Sequence, residues 1–417
     1  MTQALTSLAT AFRAGAPVGI TSVCSAHPIV IEATLRFARD TGGTALIEAT
    51  CNQVNQDGGH VGMTPAAFRD FVLSIADRVG APADRVILGG DHLGPSPWRR
   101  LPAAEAMDKA EAMIAAYASA GFAKLHLDAS MGCAGEPVGL PDAVAAERAA
   151  RLARAAEANA AGTPPVYVIG AEVPTPGGAV EALHDLDVTK AEAAAATHAA
   201  HRAAFAAAGI ETAFERVIAL VVQPGVEFGH ADVAPFDLER ARALTAALEG
   251  LSGVVFEAHS TDYRTEAALS ALVRGGFAIL KVGPWLTFAL REALYGLDAV
   301  ADVLDGHPPR GMLMARMDEI MRAAPDHWRS HYSGDAQTLW MLRHFSYSDR
   351  IRYYWPDAGA GAAVRALTDR LAGREIPETV LGQFLPRIGP GAGRAEDVLI
   401  EAVTQVLRLY DRACRTA

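Results

Sequence analysis

Short apolar, β-branched runs alternate with long alanine-rich stretches from residue 19 to about residue 300. The runs are GITSVC (19–24), ALIEAT (45–50), VILGGD (86–91), KLHLDAS (124–130), VYVIGAEV (166–173), RVIALVVQ (216–223), GVVFEAHS (253–260) and FAILKVG (277–283). Each is nearly continuous in hydrophobicity, the pattern of a strand covered on both faces in a parallel sheet. The stretches between them carry helical period without interior proline. In PAAFRDFVLSIADRVG, residues Phe68, Phe71, Val72, Ile75 and Val79 share one face, and Thr64 followed by Pro65 supplies an N-cap and a first-turn proline. Eight strands, each followed by a helix, is the number that closes a barrel. The expected fold is therefore an α/β protein, a (β/α)8 TIM barrel over residues 1–309, with an open doubly wound sheet as the competing arrangement.

After residue 300 the alternation gives way to helical segments around HPPRG, GDAQTLWMLRHFSYSDRIRYYWPD and RIGPGAGRAED, and residues 310–417 read as a helical C-terminal extension. With 417 residues, 51% of them hydrophobic and 20% charged, the chain can bury a large core. The net charge of −11 is spread along the chain without a basic block, which argues against a nucleic-acid partner. No apolar run approaches the roughly 20 residues of a membrane helix, and the N-terminal stretch lacks a signal-peptide pattern, so the expectation is a cytoplasmic protein without a membrane partner. Cys24, Cys51, Cys133 and Cys414 form no CxxC pair and read as reduced thiols.

In such barrels the chemistry gathers at the C-terminal ends of the strands. Taken in order, the eight runs end in Ser22, Ser25 and His27; Glu48 and Asn52; Asp91 and His92; His126, Asp128 and Ser130; Glu172; Gln223, Glu227 and His230; Glu257, His259 and Asp262; and Lys281. One histidine at a strand end is more often a hydrogen-bonded structural residue than a ligand. Convergence of His92, Glu172, His230 and His259 on one rim is different, because imidazole and carboxylate are what a borderline divalent cation prefers. His126 and Asp128 alternate with leucines and so share a strand face, as substrate contacts or as support for the ligands. Lys281 suits a carboxylate partner or a substrate oxygen, with a Schiff-base lysine as the alternative. The Gly177-Gly178 loop offers backbone N–H groups to an anion, or is a simple turn. Arg350 and Arg352 beside Tyr353 and Tyr354 suit a phosphate or carboxylate clamp, or a packed helix surface. No GxxxxGK[ST], no GxGxxG opening a helix after a strand, and no GxSxG occurs in a suitable place, which removes most of the case for ATP, nicotinamide or serine-hydrolase chemistry.

The stretches SVCSAHPIVIEA, LIEATCNQVNQDGGHVGMTPAAFRDFV, ILGGDHLGP, KLHLDASMGCAGEP, VQPGVEFGH, EAHSTDY, ILKVGPWLTFALREA and SDRIRYYWP together closely resemble the accessory-subunit family of tagatose-bisphosphate aldolase, the Z-type (GatZ/KbaZ-like) subunits of galactitol and N-acetylgalactosamine catabolism. The likeness runs over essentially the whole chain. Members also carry the label tagatose 6-phosphate kinase, which the missing phosphate-cradle motif opposes. The family is similar in turn to the class II aldolases, zinc enzymes built on a (β/α)8 barrel. That resemblance implies Asp91 as an acid/base group, His92 and His259 as metal ligands, and His230 or Gln223 as the third, with His230 expected. It implies zinc, or else magnesium or manganese, as the divalent metal ion. The acid/base set is completed by Glu172 and Asp128. Ser25, Glu48, Asn52, His126, Gln223, Glu257, Lys281, Gly178, Arg350 and Tyr353 are expected to bind substrate.

Two roles are described for such proteins: a non-catalytic subunit that stabilises a class II aldolase chain, and a 4-epimerase of tagatose 6-phosphate. Polar groups at all eight strand ends are costly to bury unless paired or used, which favours chemistry. In a 2-ketose the C4 hydrogen is not acidified by the carbonyl, so inversion there needs cleavage and re-formation of the C3–C4 bond, or oxidation and reduction by a cofactor. Without a nicotinamide fingerprint, retro-aldol and aldol steps are expected. A ketose phosphate is the expected substrate, with an aldolase catalytic chain or further copies of the same chain as expected macromolecular partners.

Overall fold

A computed structural model describes residues 2–170, 186–389, 391 and 393–415. All eight apolar runs form strands: β1 (Ile20–Cys24), β2 (Ala45–Thr50), β3 (Val86–Leu93), β4 (Lys124–Leu127), β5 (Val166–Ile169), β6 (Val217–Val221), β7 (Val255–Ala258) and β8 (Phe277–Val282). They pair in sequence order and close into a barrel, β1 lying parallel to both β2 and β8. The fold is thus the closed (β/α)8 barrel, not the open sheet.

Strand ends depart from the expected runs where function begins. β4 leaves the sheet before Asp128, whereas β3 continues through His92 to Leu93. The β3–β4 register shifts between Gly90 and Leu93, and His92 takes a left-handed φ of 50°. This is a bulge, a device that re-aims a side chain at the cost of local strain.

The outward faces of the strands pack against the helices. The helix Pro65–Val79 buries Phe68, Val72, Ile75 and Val79, with the Thr64 hydroxyl accepting from Ala67 N at 3.3 Å. Inside the cylinder, Ile20, Leu46, Ile87, Val166, Ile218, Val255 and Ile279 form a separate apolar cluster with Leu5, Leu8 and Ala9. The short helices Gln3–Thr6 and Leu8–Arg13 therefore plug the floor of the barrel.

Residues beyond 310 are helical, and the last helix, Ala395–Arg415, packs on β1 and on the helices Pro28–Thr41, Glu266–Arg274 and Pro284–Leu304. Gly19 N donates to Cys414 O at 2.9 Å, and the Tyr410 hydroxyl donates to Thr261 O at 2.8 Å. The C-terminal helix is stitched into the barrel wall. No helix of the described residues is long and apolar enough to cross a membrane.

Candidate active site

Period-two alternation places Glu48, Glu257 and Lys281 two residues above Leu46, Val255 and Ile279 of the apolar floor, on the same inward face. Lys124 of β4 joins them. Its ammonium lies 2.6 Å from Glu48 and 2.7 Å from Glu257, all three side chains being fully buried. Lys281 lies 3.3 Å from Glu48 and 3.5 Å from Glu257 and also pairs with Asp91. The result is a belt of matched charge across the barrel. Gly89 makes room for it, since a Cβ there would sit 2.7 Å from Glu48 Cγ.

Above the belt stand three imidazoles and a carboxylate. The ring centroids are 4.8 Å apart for His92 and His259, 5.0 Å for His92 and His126, and 5.4 Å for His126 and His259. One ligand atom from each of Asp91, His92, His126 and His259 lies within 4.8 Å of the others. Each ring has one nitrogen already engaged. His92 Nδ1 meets Asp128 Oδ2 at 2.8 Å, His126 Nε2 donates to Gly170 O at 2.9 Å, and His259 Nε2 meets Glu257 Oε1 at 3.0 Å. That fixes the tautomers and turns the second nitrogen of each ring toward a common centre, where His126 Nδ1 also accepts from His92 N at 3.2 Å and lies 3.1 Å from Asp91 Oδ1, as metal-bound histidines are fixed by their outer partners. His259 Nδ1 is buried there without any hydrogen-bond partner.

Electrostatics point the same way. Burial alone would raise Asp91, but the charges of His92 and Lys281 and the contact with His126 hold its carboxyl well below the usual range. Burial drives His259 down to about 3, so it stays neutral and its lone pair available. For His92 burial is opposed by Asp91 and Asp128, which together raise it. The carboxylates that would attract a cation attract a proton in its place. With the imidazoles neutral, four carboxylates (Glu48, Asp91, Asp128, Glu257) stand against two ammonium groups (Lys124, Lys281) in this assembly, an excess of two negative charges.

A cavity of about 210 Å³ opens on the rim, lined among others by Asn52, Asp91, His92, Asp128, His259, Lys281 and Tyr353. Ser25, whose hydroxyl accepts from His27 N at 3.2 Å, lines an adjoining cavity of about 360 Å³. Tyr353 borders both. Arg350 lies over the Tyr353 ring, 5.1 Å from its centroid, and its Nε donates to His327 O.

Five expected positions are placed differently. His230, expected as the third metal ligand, does not join the cluster. The segment after β6 folds back on itself through the Phe228–Val233 bridge, and His230 Nδ1 meets Ser346 Oγ at 3.0 Å against the Tyr332 ring. His126, expected to touch substrate, is the third imidazole instead. Gln223 turns inward to its own loop, its Oε1 accepting from Gly225 N and Val226 N at 2.8 Å each. Glu48 and Glu257, also expected to touch substrate, lie in the buried belt beneath it. Glu172 and Gly178 fall outside the described residues. Lys124 escaped the sequence reading because it opens a strand rather than ending one, although its period-two spacing from His126 marks it as inward-facing.

Comparison with known proteins adds the context. Residues 5–415 match the family described as D-tagatose-1,6-bisphosphate aldolase subunit GatZ/KbaZ-like. The chain is 54% identical over 419 residues to a D-tagatose 6-phosphate 4-epimerase of Agrobacterium fabrum, covering 99% of each. It is 49% identical over 414 residues to the D-tagatose-1,6-bisphosphate aldolase subunit GatZ of Klebsiella pneumoniae, covering 97% of this chain and 98% of that one. A crystal structure of a probable tagatose 6 phosphate kinase from Sinorhizobium meliloti is 55% identical and superposes with a TM-score of 0.88, covering 95% of this chain and 100% of that one.

Proposed function

The chain belongs to the D-tagatose-1,6-bisphosphate aldolase subunit GatZ/KbaZ-like family, and on that premise we propose that it interconverts D-tagatose 6-phosphate and D-fructose 6-phosphate by inverting C4. The observation that carries this reading is the set of three imidazoles, each anchored through one nitrogen by an outer partner and bringing a ligand atom to a shared centre with Asp91.

The donor set fits a divalent cation. His92 Nε2, His126 Nδ1 and His259 Nδ1 would hold it, with Asp91 alongside, and its two charges match the excess carboxylate charge. Imidazole donors favour zinc, with magnesium and manganese as the alternatives. When bound, the cation supplies Lewis-acid polarisation of the ketose C2 carbonyl.

The rest is work for the chain's own side chains. Asp91, ionised and facing the cavity, accepts the proton of the C4 hydroxyl. As that O–H bond breaks, a carbonyl forms at C4, the C3–C4 bond breaks, and its electron pair passes toward C2. Lys281 beside Asp91 keeps the carboxylate oriented and its charge balanced. Asp128 does the same for the His92 ring. The aldehyde fragment turns to present its other face, C3 re-forms the bond, and Asp91 returns the proton to the new C4 oxygen. Glu172 is the second candidate for this proton transfer.

Incubating the purified chain with D-tagatose 6-phosphate and a divalent ion should yield D-fructose 6-phosphate. Treatment with a strong chelator should lower that rate at least about 100-fold and lower the melting temperature, with both restored by zinc or manganese and a single ion bound per chain. Unchanged turnover in fully metal-depleted protein would remove the Lewis acid from this account. The Klebsiella relative's name favours a second reading, in which this chain stabilises an aldolase catalytic chain. Absence of turnover together with a raised melting temperature of such an aldolase on mixing would select that role.

A further inference from the structure

We infer that Arg352, paired with Arg350 across the ring of Tyr353, is the anchor for the phosphate of the substrate. The inference rests on the epimerase reading above, and it adds which side chains discriminate the phosphorylated sugar from the free one.

Arg352 is half-buried, yet among the described residues its guanidinium bonds only neutral oxygens. It donates to the backbone carbonyls of Ser348 and, at 3.1 Å, Asp349, and its Nη2 donates to the Tyr353 hydroxyl at 3.0 Å. The nearby acid, Asp349, is already taken by the Thr287 hydroxyl at 2.5 Å and by Arg291 Nε at 3.4 Å. Arg352 Nε has no protein partner among the described residues. Arg350 adds a second guanidinium on the same ring, 5.1 Å from its centroid against 4.6 Å for Arg352. Among the described residues neither arginine has a carboxylate in ion-pair contact, unlike Arg291, Arg343 or Arg370 in the surrounding helices. Burial would raise the Tyr353 phenol, but the two guanidiniums outweigh it and hold the phenol below its ordinary value.

The location suits one end of a sugar phosphate. Arg352 and Tyr353 line both the reaction cavity, which they share with His92, His259 and Lys281, and the adjoining one beneath His27 and His60. A dianionic phosphate gives the guanidinium fork the charged oxygens that the chain withholds. A free ketose offers only hydroxyls and leaves a half-buried cation without a counter-charge, which is how a polar site rejects an analogue lacking one group. The anchor also has a task in the reaction. Once C3–C4 is broken, the phosphate-bearing aldehyde is a separate molecule, and holding its phosphate lets it turn about C4–C5 without diffusing away.

Two measurements test this. The first is kcat/KM for D-tagatose 6-phosphate and for D-tagatose in the wild type, Arg352→Met and Arg352→Lys. The ratio of the two is expected to fall about 100-fold or more in Arg352→Met and to recover in part in Arg352→Lys. Equal losses on both sugars, or an unchanged ratio, would overturn the assignment. The second needs no turnover: inorganic phosphate, against chloride at equal ionic strength, should raise the melting temperature of the wild type and not that of folded Arg352→Met or Arg352→Lys to the same degree. A shift of equal size in all three, or none in the wild type, also overturns it. If the phosphate effect depends on Arg352 while neither sugar is turned over by the wild type, the anion site stands and the epimerase reading fails.

Discussion

Asp91→Asn should lower kcat/KM for D-tagatose 6-phosphate by about 10³-fold while leaving the chain folded and its metal content unchanged. The substitution keeps the size of the side chain and removes only its ability to accept a proton as an anion. General acid–base groups contribute roughly 10²- to 10⁴-fold, and Asp91 is placed near the upper part of that range because it serves in both directions of the cleavage. Its carboxylate oxygen lies 3.8 Å from His92 Nε2 and 3.1 Å from His126 Nδ1 and is paired with Lys281. Lys281 keeps Glu48 and Glu257 as partners in the variant, so the belt below stays compensated. The assay is separation of the two hexulose phosphates with time, alongside a thermal melt. More than about a tenth of wild-type turnover in a cleanly folded variant would take the proton transfer away from Asp91 and leave Glu172 as the base.

The second large effect is on stability. Lys124→Met should destabilise the protein by about 3–5 kcal/mol, the usual cost of stripping one partner from a buried ion pair. Lys124 is fully buried and touches two carboxylates, Glu48 at 2.6 Å and Glu257 at 2.7 Å. Burial opposes its charge, but these two acids outweigh that and raise its pKa, so it is cationic throughout the ordinary pH range. Without it, Glu48 and Glu257 share only Lys281, and Glu257 loses the geometry with which it orients His259. Adding Glu257→Gln to Lys124→Met should recover part of the loss, because the double variant no longer buries an uncompensated charge. Urea unfolding of the wild type, the single variant and the double variant reads this directly. A cost under about 1 kcal/mol for Lys124→Met would mean that water or rearrangement compensates the belt.

The barrel was legible because its strands are covered on both faces and so read as eight unbroken apolar runs, each closed by polar residues. The Asp91–His92 pair and His259 were legible for the same reason, since once the strands are drawn their ends must meet at one rim. The third imidazole was not. His126 lies within β4 and His230 beyond β6, and only the three-dimensional course of the chain after β6 decides between them: the Phe228–Val233 bridge carries His230 off to Ser346. Glu48 and Glu257 were recognised as functional by type but placed one layer too high, because sequence spacing does not say how far above the floor an inward residue sits. The left-handed turn at His92 has no signature in an otherwise apolar run.

The plug made by Leu5, Leu8 and Ala9 has a consequence for traffic. With its lower end filled and a charged layer above the filling, the cylinder is a well rather than a pore. Reactant and product must pass the same doorway, beside the segment that carries Arg352 and Tyr353, so a departing hexulose competes with the next arrival and each can act as an inhibitor of the other's exit.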